Sequence, residues 1–301
     1  MHSSRNPDRR AARHLGACLL VIAMLITPGA AMAQMEAPGE AVTIAGADLG
    51  DWGKVDRVAG HFGLPARVTG QVPAVLILHG SGGVDGRGAR YAKALQEAGF
   101  ATLEITMFPR SSPPGPSVNL TMPHAAAALR GLAAQRSVDA QRLGAIGFSW
   151  GGQMTVMLTS VPVRDRLGKD VPAPAAAVAL YPVCTNMTRY LAWDKHPLYN
   201  AHTTMGAVPL LILVGTGDDT ENEARSCDAF VATMPAAAQQ RTSVRYFDGA
   251  THGFDRDRAL EYYDAAARAR KGAMVRVVPS EQDAAAARAE TVAFFTKYLM
   301  R

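Results

Sequence analysis

Residues 145–154 read AIGFSWGGQM, with Ser149 in a G-x-S-x-G spacing between Gly147 and Gly151. A serine hydroxyl is a weak nucleophile, so it does chemistry only where a base and an orienting acid stand within reach. The flanks favour that chemistry. RLGAIGF (142–148) reads as a strand and the segment after the serine as a helix, the context of a nucleophile elbow. The serine's strained backbone presses the residues two positions away against the turn, where only glycine avoids a clash. The helix amino terminus then aims free N–H groups and its positive dipole end at the serine oxygen.

A triad on such a sheet runs in the order Ser, Asp or Glu, His. Beyond residue 33 the chain has six histidines: His61, His79, His124, His196, His202 and His252. Only His252, in DGATHGFD, follows all the late apolar runs, so it is the expected base. His79 ends a strand, His124 opens a helix, His196 and His202 fall in an irregular segment, and His61 precedes the sheet. The acid belongs at the end of the preceding strand, where LVGTGDDT offers Asp218 and Asp219. One of the two could be no more than a helix cap. The G-x-x-D spacing from Gly215 favours Asp218, with Asp219 left open and Asp248 a weaker rival.

The oxyanion of an acyl-transfer step needs two donors. The residue after the nucleophile, Trp150, supplies one backbone N–H, and the glycine loop in LILHGSGGVDG supplies another at Ser81. A nucleotide-phosphate loop is the competing reading of HGSGGVDGRG, but it lacks a Gly-Lys-Ser/Thr ending and a dinucleotide spacing. No metal and no organic cofactor is required.

These residues need a sheet to hold them. AVLILHG (74–80), FATLEITMF (100–108), RLGAIGF (142–148), AAAVALYP (175–182), VPLLILVG (208–215) and SVRYFDG (243–249) are unbroken apolar runs, the mark of strands covered on both faces. Helical stretches fall near 88–98, 123–136, 151–160, 221–233 and 284–299, which predicts an α/β, doubly wound, mostly parallel sheet. Residues 42–70 suggest a short antiparallel opening hairpin. Two segments, 109–120 and 183–207, break the alternation; both leave the carboxyl ends of strands, where such sheets bind ligands, and the second suits a small cap. No internal repeat or domain linker is visible, so 42–301 reads as one domain.

The first 33 residues differ from the rest. Four arginines precede an apolar run from Leu15 to Ile26, and Ala31-Met32-Ala33 follows. That is the pattern of a secretory signal peptide, with a run too short to span a membrane comfortably. Cys18 lies near the start of the apolar run, most of which comes after it, which argues against lipidation, and Arg9-Arg10 leaves the export route open. The expected organisation is a leader over 1–33, a flexible start over 34–41 and no stable membrane anchor after cleavage, giving a periplasmic or secreted protein. The whole chain has 31 basic and 26 acidic residues; the leader accounts for four Arg and one Asp, which leaves 27 and 25. Net charge is then small, and with no basic stripe a nucleic-acid partner is not expected. Two cysteines remain, Cys184 and Cys227, both just past neighbouring strands. In an oxidising compartment they are expected to pair, two buried thiols being the alternative.

Four stretches, VPAVLILHGSGG, SVDAQRLGAIGFSWGG, LLILVGTGDDTENEARSC and YFDGATHGFD, together resemble the dienelactone hydrolase family of α/β-hydrolases from about residue 70 to the C-terminus. The resemblance implies an α/β-hydrolase fold with short cap excursions and the triad Ser149, Asp218 and His252. Founding members carry a nucleophilic cysteine and open lactones; serine here favours a broader esterase. Relatives commonly have Asp after the second strand where this chain has Thr106, but FPR keeps Arg110, expected to place an acidic or polar substrate group. The expected activity is hydrolysis of small carboxylic esters or lactones through an acyl-enzyme. A peptidase of related fold and a non-catalytic binding protein are the alternatives.

Overall fold

Unbroken apolar strands must be covered on both faces, and five of them, with one alternating edge strand, form the parallel part of an eight-stranded sheet. The structure, a computed structural model, describes residues 37–108, 116–191 and 205–301. In chain order, β1 (Glu40–Asp48) and β2 (Lys54–Gly63) lead to β3 (Val72–Leu78), α1 (Arg87–Glu97), β4 (Ala101–Thr106) and α2 (Val118–Ala133). Next come β5 (Val138–Phe148), α3 (Trp150–Met157), α4 (Val161–Leu167), β6 (Ala176–Leu180), α5 (Cys184–Leu191) and β7 (Leu210–Gly215). The chain continues with α6 (Ser226–Ala232), α7 (Ala236–Gln239) and β8 (Thr242–Phe247), then β9 (Leu260–Asp264), α8 (Ala267–Arg270), β10 (Ala273–Val277) and α9 (Glu281–Leu299). The described residues belong to one compact unit.

The sheet order is β1-β2-β4-β3-β5-β6-β7-β8. From β4 to β8 every pairing is parallel, and β1 and β2 add an antiparallel edge. Every residue of β6 and β7 is buried. Their side chains are covered above and below, which is why they read as continuous Ala, Val, Leu and Ile and do not alternate. One face carries α1 and α9, the other α2 and α3, as their mutual contacts show. At Gly144 in β5 a Cβ would come 2.7 Å from the Phe295 ring, so the missing side chain lets α9 lie close on the sheet.

The opening hairpin is present, but its first strand starts inside the stretch expected to be a flexible start. Glu40 and Ala41 pair with Phe62 and His61, and backbone pairing overrides their polar, small-residue composition. Helix α2 begins five residues ahead of Pro123, where the expected helix starts. Ser117 caps it by accepting from Leu120 N–H at 3.2 Å, and Pro123 lies inside the helix, where it removes the N–H that would bond Asn119 O. Sequence patterning also misses the β9–β10 hairpin. Its strands are short, and β9 has no fully buried residue. No described helix is long and apolar enough to cross a membrane.

Candidate active site

The serine turn forms where β5 meets α3. Ser149 has φ 52° and ψ −112°, outside the comfortable region for a residue with a side chain. Its N–H donates to Leu180 O at 2.9 Å, and its carbonyl accepts from Gln153 N–H at 2.9 Å, which starts the helix. The flanking glycines answer a measurable crowding. A Cβ on Gly147 would lie 2.1 Å from Gly151 O, and one on Gly151 would lie 2.2 Å from Leu78 O. No alanine fits either place without moving backbone.

Three side chains from three loops meet at this turn. The Ser149 hydroxyl lies 2.9 Å from His252 Nε2, and His252 Nδ1 lies 2.8 Å from Asp218 Oδ2. His252 and Asp218 are almost entirely buried, with side chains 6% and 0% exposed, so water competes little for either. The other Asp218 oxygen, Oδ1, accepts from Thr220 N–H at 2.9 Å and from Thr220 Oγ–H at 2.6 Å. Asp218 is thus locked by a local turn while it faces the imidazole. Because a carboxylate only accepts, the His252 proton sits on Nδ1, leaving Nε2 to accept the serine proton.

Asp219 points elsewhere. Its Oδ2 accepts from Arg276 N–H at 3.2 Å and Nε–H at 3.3 Å, and Arg268 lies 3.8 Å from Oδ1. Two residues adjacent in sequence therefore split their work, one facing the histidine and the other fastening the β9–β10 hairpin to the acid loop. Asp248 accepts from the Thr216 hydroxyl at 3.2 Å in an exposed turn.

Trp150 is the first residue of α3, so its N–H has no partner within the helix. Its indole N–H donates to Thr121 Oγ at 3.3 Å. Gly80, just before Ser81, packs on the elbow; a Cβ there would be 3.2 Å from Phe148 O and 3.6 Å from Ser149 Cβ. The glycine loop and the first turn of α3 therefore flank the serine from two sides. His79 holds that loop in place. Its Nδ1–H donates to Gly80 O at 2.7 Å and its Nε2 accepts from Met107 N–H at 2.9 Å. Burial pushes its pKa down to about 4, so it stays neutral.

Arg110, His196 and His202 lie outside the described residues. His61 is on β2 and pairs with Ala41. His124, on α2, donates from Nδ1 to Leu120 O at 2.7 Å. Among the described histidines, only His252 bonds the serine and the acid.

Cys184 and Cys227 form a disulfide, with Cα atoms 4.9 Å apart. Glu221 sits beside it and accepts from the N–H groups of Cys184 and, at 2.8 Å, Thr185, where α5 begins. Burial and the nearby Asp218 raise the Glu221 pKa. The three side chains are close enough to suggest a metal cage. The sulfurs are bonded to each other and the carboxylate is committed to the helix end, so that grouping does not act as one.

Sequence reasoning did not find a polar group behind the histidine: buried Arg87, Tyr181 and Asp255, with partly buried Asp85. Arg87 binds both oxygens of Asp85, at 2.8 and 2.7 Å. Burial alone would raise the Asp85 pKa, but Arg87 outweighs it and brings it down to about 2. The available signal was VDGRG, a charged pair inside a loop otherwise built for backbone approach.

The structure resembles solved α/β-hydrolases. Thermogutta terrifontis esterase 2 phosphorylated by paraoxon has a TM-score of 0.60 at 19% identity, over 81% of this chain and 89% of that one. The same esterase with butyrate bound gives 0.58 at 20%, over 81% and 89%. A Klebsiella pneumoniae subsp. pneumoniae MGH 78578 protein assigned as a dienelactone hydrolase gives 0.54 at 18%, over 86% and 100%. At these identities the likeness establishes the fold. Comparison with curated protein sequences gives no significant match. The dienelactone hydrolase family profile matches residues 58–278, well over half of the chain and all three residues joined at the serine turn, and the chain belongs to that family.

Proposed function

We propose that this protein is a serine hydrolase that cleaves small carboxylic esters or lactones through an acyl-enzyme. The observation that carries the reading is the unbroken chain from Ser149 to His252 to Asp218, at 2.9 and 2.8 Å. In the first step Ser149 Oγ bonds to the acyl carbon as its proton passes to His252 Nε2. The carbonyl π electrons move onto oxygen, which the N–H groups of Trp150 and Ser81 stabilise. Collapse expels the alcohol, which takes the proton from His252. Water, deprotonated by the same imidazole, then releases the acid and restores the serine. Asp218 keeps the imidazole oriented and stabilises its charged form. The T. terrifontis esterase neighbour, one structure of which holds butyrate, supports small acyl substrates.

The reading includes export with loss of the first 33 residues, and a substrate bearing an acidic or polar group near Arg110. A fluorophosphonate probe tests the core of it: wild-type protein labels at Ser149 and Ser149→Ala does not. Failure of folded wild-type protein to label refutes the serine-hydrolase reading. A panel of esters, lactones and peptides then names the bond cleaved, and peptide turnover without ester turnover would overturn the esterase assignment. N-terminal sequencing of exported protein should begin near Gln34. If Arg110→Ala leaves the ratio of acidic to neutral ester turnover unchanged, the Arg110 role is wrong.

A further inference from the structure

We infer that Tyr181 is a positioning residue whose hydroxyl ties the histidine turn to the glycine loop, so that the proton acceptor and the oxyanion donors keep one relative placement. The inference rests on the serine-hydrolase reading above. The hydroxyl accepts from Arg87 Nη1–H at 2.8 Å and donates to Asp255 Oδ1 at 2.5 Å. Arg87 opens α1 just after the glycine loop, and a Cβ on Gly80 would be 3.2 Å from its Nη2. The guanidinium therefore backs the loop that bears Ser81. Asp255 follows His252 by three residues, and its carbonyl accepts from Arg90 Nη2 at 2.5 Å. The Tyr181 ring meets the His252 ring edge-on at 4.9 Å and the Phe254 ring at 5.7 Å. One side chain at the carboxyl end of β6 thus touches the base directly and hooks both loops that surround the serine.

Energetics argue for positioning over stability. Arg87, Tyr181 and Asp255 are 1%, 0% and 2% exposed, and burying such a group gains little over well-packed apolar residues. Tyr181 also holds φ at 37°, a strained value for a residue with a ring, and such strain concentrates at sites where placement matters. Along the hook each proton has a place: Arg87 donates, the hydroxyl accepts and donates in turn, and Asp255 Oδ1 accepts, while Asp255 Oδ2 has no hydrogen-bond partner among the described residues. Burial raises the Tyr181 pKa well above its ordinary value, so the hydroxyl keeps its proton.

The test uses Tyr181→Phe, which keeps the ring against His252 and removes only the hook. Two readouts are compared: kcat/KM on an aryl acetate, and Ki for an aryl trifluoromethyl ketone. Ser149 Oγ adds to that ketone carbon, its proton moves to His252, and the carbonyl electron pair becomes an oxyanion, so Ki reports the aligned base and oxyanion donors together. Tyr181→Phe should lower kcat/KM about 10- to 100-fold, the scale of a sub-ångström to 1 Å misplacement, and raise Ki by the same factor. Arg87→Lys, which cannot hold Asp85 and Tyr181 at once, should do the same. Asp255→Asn, which still offers an oxygen to the hydroxyl, should stay within about threefold of wild type, because the hook survives. The inference is overturned if folded Tyr181→Phe keeps wild-type kcat/KM, or if turnover falls with Ki unchanged. Loss of native near-ultraviolet circular dichroism in both Tyr181→Phe and Arg87→Lys, which would make the role structural, also overturns it, as does an Asp255→Asn loss equal to that of Tyr181→Phe. Wild-type protein that neither labels nor hydrolyses esters would instead refute the serine-hydrolase reading itself.

Discussion

Replacing Asp218 by Asn should disable the base by moving one proton. Oδ1 of Asp218 takes two donors from Thr220, at 2.9 and 2.6 Å, while Oδ2 faces His252 Nδ1 at 2.8 Å. An asparagine in that place has one acceptor oxygen and one NH2. The two Thr220 donors claim the oxygen, so the NH2 turns to His252 Nδ1 and makes that nitrogen an acceptor. The ring proton must then sit on Nε2, where it meets the serine hydroxyl and cannot receive its proton. A wrong imidazole tautomer with geometry intact costs about 10⁴ in kcat in the well-studied serine protease triad, and the same order is expected here. Asp219→Asn gives the internal control. Its partners Arg268 and Arg276 are half exposed or more, and ion pairs of that kind contribute roughly 0–1 kcal/mol, so turnover should stay within about threefold. The assay is kcat/KM on an aryl ester for both variants, with circular dichroism to confirm folding. Should Asp219→Asn prove the more damaging while both remain folded, the assignment of the acid is wrong.

Ser149→Ala should lose about 10⁴-fold or more of kcat, His252→Ala nearly as much, and the double variant little beyond either; multiplicative losses in purified proteins would show that the two do not act as a unit. Removing the Cys184–Cys227 bond frees a loop with a sequence separation of 43, so Cys184→Ser with Cys227→Ser should cost about 2–4 kcal/mol in denaturant unfolding. Unreduced, denatured protein should correspondingly titrate no free thiol from this pair. The pKa of His79 is lowered from 6.5 to about 4 by burial, so the unfolded chain binds the proton more readily. Its contribution to stability is therefore complete above pH 6.5 and is lost as pH falls towards 4, by about 3 kcal/mol in all. Urea unfolding between pH 7 and 4 should show that slope in wild type and a smaller one in His79→Gln; equal slopes would refute it.

That Ser149, Asp218 and His252 would come together was legible in the sequence because each is placed by local rules, and the structure joins the three by hydrogen bonds. A nucleophile elbow needs glycines at fixed offsets, and parallel strands end their loops on one side of the sheet. The parallel core was equally plain, since strands buried on both faces spell themselves as unbroken apolar runs. Cys184 and Cys227 could be paired because their strands were expected to be neighbours. Asp218 and Asp219, by contrast, are one residue apart and chemically alike. Only the turn closed by Thr220, and the distant Arg268 and Arg276, separate the residue that faces the imidazole from the one that holds the hairpin. The β9–β10 hairpin carries no strong period because its strands are short and largely half exposed, so its position depends on what it leans against. Asp85, Arg87, Tyr181 and Asp255 come from three places in the chain, and each alone reads as an ordinary polar residue. Tyr181 lies 94 residues from Arg87 and 74 from Asp255, and no local pattern can report a hydrogen bond that exists only once the sheet brings those loops together.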